Sequence, residues 1–485
     1  EALHNEGTIE SDTLTDINAG SLLNSGGTIL SKETVSVKTV DDLVNDYGTI
    51  RGEKNMIIET ASIALSEFDQ DEVVTIRTEI NKIKSKLAQL KKENPEFDDR
   101  QLRLLEQLSE KLEGHYATEE AFSNTDIQIL EYVLADNDAL RSKLVKQGGS
   151  IINKNNGEIS SGDYLGMDSA GNVENISSLI QSNGDVDLYA VDKVLLTSIE
   201  DRQDKTSLIW KDNFDENINF SEVSSGGVMR IGGGEGVEMT SAKLSMGQGG
   251  VIESENGKVE SKVVYIESDI ETHYREHGRD VTHIQKNRIG KATTIDAGED
   301  GLLVDAKGDI DLEGIKINTE GNVNLESEDG DIRLTGIKNS EYDEKRQTWT
   351  TRSGFMGINK NTHTQVDVSG EETVDRAVID AKYYSAKAGK GKRVIREGTT
   401  IDTETIYEEG EDNLEKKMVL KTWDVHDYNK DRSLLGVLKT GTKTSYQENN
   451  YNTNEVNENL TIGKLLKNFK GKVELEGSKL KSEDG

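Results

Sequence analysis

The sequence has no cysteine and a single proline, Pro95, in 485 residues. Without cysteine there are no disulfides and no thiolate metal sites. Scarce proline suits a chain whose backbone donors are engaged in strand pairing almost everywhere, because proline removes a ladder donor. The lack of cysteine fits export in an extended state, which disulfides would lock prematurely. Hydrophobic residues make up only 33% and aromatics 5%, with a mean hydropathy of −0.65. Such values drift toward disorder unless regular patterning rescues the chain. Positive charge is also short: 58 Lys and Arg stand against 91 Asp and Glu, a net charge of −33. Nucleic acid is therefore not an expected partner, since phosphate contacts need clustered Lys and Arg. An anionic membrane surface is disfavoured for the same reason. No run approaches the ~18 apolar residues of a membrane-spanning helix, and no charged-then-apolar leader opens the chain. The first residues, "EALHNEGTIE", already lie inside a repeat, so the chain is expected to be a segment of something longer.

Glycine, by contrast, is plentiful at 46 residues, and it falls at regular places. "LHNEGTI" starts at Leu3, "LNSGGTI" at Leu23 and "LVNDYGTI" at Leu43. Their glycines, Gly7, Gly27 and Gly48, are spaced by 20 and 21 residues, and the pattern resumes in "INKNNGEI" with Gly157 and Ile159. A second repeat reads Gly, polar, Ile or Val, polar, Leu: "GDVDLYA" from Gly184, "GDIDLEG" from Gly308, "GNVNLES" from Gly321, "GDIRLTG" from Gly330 and "GKVELEG" from Gly471. Strict alternation marks a short strand buried on one face. A period of 20–22 residues holding two or three such strands is a solenoid coil. Ile310 and Leu312 are expected to point inward and stack on Ile332 and Leu334, with Asp309 and Asp311 outside. Asn153, Asn155 and Asn156 are candidates to cap coil corners. The leucine-rich repeat needs an "LxxLxL" frame that is absent. The expected fold is an all-β solenoid, a right-handed parallel β-helix.

Residues 71–147 break the pattern. Val73, Ile76, Ile80, Ile83, Leu87 and Leu90 step by alternating threes and fours, a heptad seam. Pro95 ends it. Leu102, Leu105, Leu108 and Leu112 suggest a second helix stopping near Gly114, and "SNTDIQILEYVLADNDALRSKLVKQ" opens a third with capping residues. The expected organisation is coils over 1–70, an α-helical hairpin or three-helix unit over 71–147, and coils again over 148–485. Excursions near 200–224, 270–292, 340–375 and 420–458 read as loops or long hairpins leaving the shaft.

These repeats resemble the filamentous haemagglutinin repeat regions of two-partner-secreted exoproteins, a group of adhesins and contact-dependent growth inhibition effectors. "NSGGTILS" and "NDYGTIRG" resemble the first type of repeat. "GEGVEMTSAKLS", "GDIDLEGIKINTEGNVNLESEDGDIRLTG" and "GKVELEGSKLK" resemble the second. In "EKRQTWTTRSGFMGINKNTHTQVD", residues Ser353, Gly354, Phe355, Met356 and Gly357 match the Ser-Gly-Phe-Leu-Gly-like end of an excursion common in that group. "TWDVHDYNKDRSLLGVLKTG" is similar, with Ser433, Leu434, Leu435 and Gly436, but lacks the first glycine. The resemblance covers most of the chain outside the helical insert. It implies Sec export, passage through an outer-membrane β-barrel transporter and folding at the cell surface. It also implies a secreted, surface-located protein serving adhesion or delivery of a toxic effector to neighbouring bacteria. A target-cell receptor or glycan is then a further expected partner, with the helical insert as the recognition element.

No catalytic, cofactor or metal residue is expected, and no enzyme activity. Asp309, Asp311 and Asp331 could align across coils as in β-helical polysaccharide-active enzymes or tail spikes, which is the alternative reading. Outward acids on alternating strands otherwise simply solvate the surface. "GGGEGVEM" at 232–239 lacks the Gly-Lys-Ser/Thr ending of a phosphate loop and reads as a tight corner. "DAGEDGLLVDAKGDIDLEG" lacks the Gly-Gly-x-Gly-x-Asp spacing of a calcium nonapeptide. His273 and His277 sit at i, i+4 beside His283, so a helix there would present two ligands to a metal, but the rest of a zinc motif is missing. His4, His115, His363 and His426 are scattered.

Overall fold

The computed structural model describes residues 2–60, 63–64, 70–93, 149–202, 216–353, 359–411 and 414–434. It also describes 105, 121–122, 129–130, 133–134 and shorter stretches from 438 to 482. Of the expected second and third helices only Leu105, Ile129, Leu130, Val133 and Leu134 are described, and Pro95, His115, and Gly471 of the last repeat lie outside these residues. The chain is mostly parallel β-strand and forms two compact units, Glu1–Leu195 with Val223–Val237, and Leu196–Glu222 with Glu238–Gly485.

In the first unit each coil contributes three strands. The first coil holds Ala2–Asn5, Thr8–Ser11 and Leu14–Ala19, and the second Ser21–Ser25, Thr28–Ser31 and Thr34–Thr39. Each strand pairs in parallel with its counterpart one coil on. Ile9, Ile29, Ile50, Ile159 and Ile180 form one such column. Ile17, Val37, Ile58, Met167 and Leu188 form another. All of these but Ile9 are buried, as alternation places every second side chain inside.

The first strands carry a different column. Asn5, Asn24, Asn45, Asn153 and Asn175 align in register and are buried. Each Nδ2 donates to the next Oδ1, at 2.8, 2.8, 2.8 and 2.9 Å. From Asn24 onward the amide also donates to a carbonyl of its own corner: Gly27, Gly48, Gly157 or Ser178, at 3.0, 2.9, 3.2 and 2.8 Å. A buried amide is tolerated because its donors and acceptor are engaged. The ladder also explains the repeated glycine: a Cβ at Gly48 would run into the Asn24 and Asn45 amides. Asn153 thus serves the ladder and ties its own corner. Asn155 instead bonds Asp46 at 2.8 Å, and Asn155 and Asn156 take left-handed φ values of 58° and 61°.

Residues 61–148 leave and return without disturbing this register. Leu43 pairs with Ile151 and Asn45 with Asn153 across the interruption. Thr60 Oγ1 donates to the Gly149 carbonyl at 2.6 Å, closing the gap. The insert includes the helix Gln70–Glu93. Its Val73, Ile76 and Ile80 pack on Leu105, Leu130, Val133 and Leu134, with Ile83 and Leu87 partly buried against the same cluster, so the described heptad positions pack within the insert.

In the second unit, Val259, Ile310, Ile332 and Val394 align in one parallel column, and Ser261, Leu312, Leu334 and Arg396 in the next inward one. Ile310 stacks on Ile332 and Leu312 on Leu334, at 1% exposure or less. On the facing strands run Leu244, Ile295, Ile317, Ile379 and Ile401, then Ile252, Val304, Leu325, Ala386 and Glu408. Two of these columns turn from apolar to charged, at Arg396 and at Glu408. Arg396 Nε lies 3.4 Å from Glu408 Oε1, and both side chains are 2% exposed. Ala386, one coil below Glu408, is the small residue of its column.

Three long hairpins leave the second unit at one kind of corner. Each follows a strand of the 258–262, 332–335 or 414–416 series and precedes one beginning at 293, 377 or 459. They comprise Val264–Glu276 with Arg279–Lys291, Ile337–Ser353 with Asn359–Asp375, and Met418–Leu434 with Thr444–Val456. Because they emerge in line, they pair side by side. With the short Leu438–Lys439 they make one seven-stranded antiparallel sheet.

Candidate functional site

The sheet of hairpins is the part of the molecule that departs from coil stacking. The first hairpin turns at His277 and Gly278, both at positive φ, with Glu276 opposite Arg279. Two residues at positive φ give the tight turn whose twist matches the flanking strands. His273 therefore lies on a strand and His277 in the turn, and no helix carries the pair. The alternation of "THYREHGRDVTHIQ" about this turn outweighs its helical spacing. His273 Nδ1 lies 3.1 Å from Thr282 Oγ1 and its Nε2 3.2 Å from Glu271. Among the described residues no group of three or more His, Asp or Glu is placed to hold a metal ion.

One row across the hairpins gathers planar groups. Trp349 lies opposite His363, and His363 opposite Lys430. The Arg279 guanidinium sits 4.3 Å from the Trp349 ring centre and donates to Gln347 Oε1 at 2.7 Å. The Trp349 and His363 rings stack at 5.0 Å and 5°. His363 Nδ1 is 2.7 Å from the Tyr428 hydroxyl and Nε2 2.8 Å from Thr351 Oγ1. Burial, reinforced by Lys430, pushes the His363 imidazole down. On the same face, His283 Nε2 is 2.8 Å from Asp343, and His426 lies 2.8 Å from Asp367 and 3.4 Å from Asp424. The bond to Asp367 and the charge of Asp424 push the His426 imidazole up. These contacts lock side chains across strands and display them rigidly. Sequence reading missed the row, because Arg279, Trp349 and His363 are far apart in the chain. The available signal was the presence of an aromatic and a histidine within each hairpin excursion.

The acids singled out from the repeats are brought together, around a cation. Arg333 lies 3.3 Å from Asp309, 3.8 Å from Asp311 and 2.8 Å from Asp331. The Asp331 amide donates to Asp309 Oδ1 at 2.8 Å, and the Arg393 amide to Asp331 Oδ1 at 2.9 Å. Burial pushes the Asp311 carboxyl up, opposed by Arg333. Asp309 and Asp331 thus tie neighbouring coils together, each accepting from a backbone amide and from Arg333. Gly234, in the glycine-rich stretch, packs against the Val191 carbonyl at a coil corner. An open hollow of about 570 Å³ on the second unit is walled by Asp305, Glu326, Glu328, Lys387, Lys390 and Glu409. Of the motif "SGFMG", Ser353 ends a hairpin strand and residues 354–358 lie outside the described residues. Of its second copy, Ser433 and Leu434 end a strand, while Leu435 and Gly436 lie outside.

No family model, no curated protein and no solved structure matches this chain. Among the described residues no helix is long and apolar enough to cross a membrane.

Proposed function

We propose that the chain is a structural shaft segment of a large secreted surface exoprotein. In this reading it is a right-handed parallel β-helix with a helical insert over 71–147. It displays an adhesive part, or carries a toxic effector toward a neighbouring bacterium, without chemistry of its own. The observation that supports it most is register that survives every interruption. Asn45 meets Asn153 across the insert, Ile317 meets Ile379 across the second hairpin, and Ile401 meets Leu460 across the third. A scaffold under selection for reach keeps its ladder while side structures are added at its corners. The right hand follows from strand twist, which favours it in parallel crossovers. A chain without cysteine also suits threading unfolded through an outer-membrane transporter and building coil upon coil outside.

The test is display. Placed between a two-partner secretion domain and an epitope tag, the chain should carry the tag to the cell surface only when the transporter is present. A tag retained inside with the transporter present would refute the reading. Deleting 71–147 should leave the β-sheet circular dichroism and display intact while abolishing binding to target cells.

A second reading, a polysaccharide-active enzyme, draws on the alignment of Asp309, Asp311 and Asp331. Turnover of an acidic glycan, lost in Asp309→Asn or Asp311→Asn, would establish it in place of the first.

A further inference from the structure

The strand Thr444–Val456 forms one edge of the hairpin sheet. It pairs along its length with Met418–Lys430 on one side. Among the described residues no strand pairs with its other side. Residues Tyr446–Glu455 are exposed on both faces, with Tyr446 at 57% and Tyr451 at 70% exposure, so no described residue overhangs this edge.

Sheet edges are ordinarily guarded by lysine, proline, bulges or dense charge. The opposite edge strand, Val264–Glu276, is guarded in this way, with Glu267, Asp269, Glu271, Arg275 and Glu276. The strand "TSYQENNYNTNEV" has no lysine, proline or glycine, and its only charges are Glu448 and Glu455. It is rich in the residues that stack well when like strands meet: Asn449, Asn450, Asn452 and Asn454, with two tyrosines.

We propose that this edge is a self-association surface, on which a second copy of the chain adds the same strand antiparallel about a twofold axis at Asn450. In that register Asn450 faces its own copy, Asn449 faces Tyr451, Glu448 faces Asn452 and Glu455 faces Ser445. No charge meets its like. Parallel in-register pairing would instead set Glu448 against Glu448 and Glu455 against Glu455, which is unfavourable. The antiparallel contact is isologous and uses up the open edge of both copies, so it closes at a dimer. Two shafts would thereby be joined side by side, independently of how they reach the surface.

The absence of cysteine makes the test clean. Directly opposed residues in an antiparallel pair have Cα atoms ~4.5–5.5 Å apart, within disulfide reach. Full-length Asn450→Cys should therefore oxidise to a disulfide-linked dimer at least about tenfold faster than a control, Ser85→Cys on the exposed face of the helix. The unmodified chain should show a concentration-dependent monomer–dimer equilibrium in sedimentation. Asn450→Lys, which sets two cations face to face, should weaken it about tenfold or more while the circular dichroism is unchanged. A chain that stays monomeric at every concentration, or an Asn450→Cys that links no faster than the control, overturns the proposal. A dimer that survives Asn450→Lys with its affinity intact does so too.

Discussion

The two units fill the same place in the coil with opposite chemistry. At the second inward position of the first strand, one unit stacks Asn24, Asn45, Asn153 and Asn175, and the other stacks Leu312 on Leu334 and then places Arg396. The corner that follows accounts for the difference. In the first unit the chain turns at once through a short corner whose carbonyl accepts from the asparagine amide. In the second unit it turns through a single residue with left-handed backbone, Ser241 at φ 49°, Gly314 at 59° or Gly398 at 67°, or leaves as a hairpin. A corner that needs no side-chain tie frees the inward position for leucine. The two repeat types are thus two solutions for one turn.

The largest effect is expected where the aliphatic solution gives out. Arg396→Met or Glu408→Leu alone removes one member of a buried ion pair and should cost roughly 3–5 kcal/mol, whereas the double variant should cost clearly less than the sum of the two. Hydrogen exchange over Val394–Glu397 and Thr399–Glu411 reports this locally, since a chain of two units does not unfold as one transition. Single variants protected like the wild type would mean that the pair is not held dry.

Exchanging the two solutions tests the comparison directly. Asn45→Leu removes the partner of Asn24 and leaves Asn153 Oδ1 without its donor, while the Gly48 carbonyl keeps the Glu158 amide. The expected loss is roughly 1–3 kcal/mol for each buried group left unmet. Leu334→Asn puts an amide between Leu312 and Arg396, away from any asparagine ladder, and should cost a similar amount. If Leu334→Asn were silent while Asn45→Leu was severe, asparagine would be acceptable in any coil, and the corner would not be what selects it.

The coil columns were legible in the sequence because alternation and a 20–22-residue period leave few registers for Ile310 on Ile332. The asparagine column stood in plain view in "LHNEGTI", "LNSGGTI" and "LVNDYGTI", yet an inward asparagine contradicts hydrophobic patterning, so only its corner role was suspected. The hairpins were visible as interruptions, but their assembly into one sheet was not, because it depends on corners coming into line. "GDIDLEGIK" and "GDIRLTGIK" show the limit most sharply. After Gly314 the first continues into the coil strand Ile315–Thr319, and after Gly336 the second enters the hairpin strand Ile337–Ser353. Matching corners diverge because of what comes afterwards, "EGNVNL" against "EYDEKR". Ile337, buried at the hairpin base, packs over Gly314 and Gly290 and fills the space beside both corners.

A smaller effect is expected at Gly370, where the hairpin sheet borrows the close approach that glycine gives the coils. The Trp423 ring lies across the bare backbone of Gly370, its directly opposed neighbour, an aromatic covering a strand glycine. Gly370→Ala should push the ring outward, red-shift its fluorescence and cost ~0.5–1.5 kcal/mol, the scale of one aromatic contact. Protection of the asparagine-ladder strands should not change. A shift that spread to them would show the two regions to be energetically coupled.

The smallest effect separates two histidines on one face of the hairpin sheet. His426 is raised by Asp367 and Asp424. Its stabilisation is complete below the ordinary imidazole value of about 6.5 and is lost as pH rises through the higher folded value. His363 is lowered by burial and by Lys430. The folded state holds that proton less readily than the unfolded chain, so its stability is complete above about 6.5 and erodes as pH falls toward the lower folded value. Acidification from neutral pH therefore strengthens one contact while weakening the other, and the wild-type sheet should respond weakly. Nuclear magnetic resonance of the imidazole carbons should find His426 titrating above the ordinary value and His363 below it. His426→Gln should expose the acid-sensitivity of His363, and His363→Gln should leave a sheet that firms as pH falls. The reverse order of the two titrations would place His363 in solvent and dissolve the Trp349–His363–Tyr428 contact on which the rigidity of the row depends.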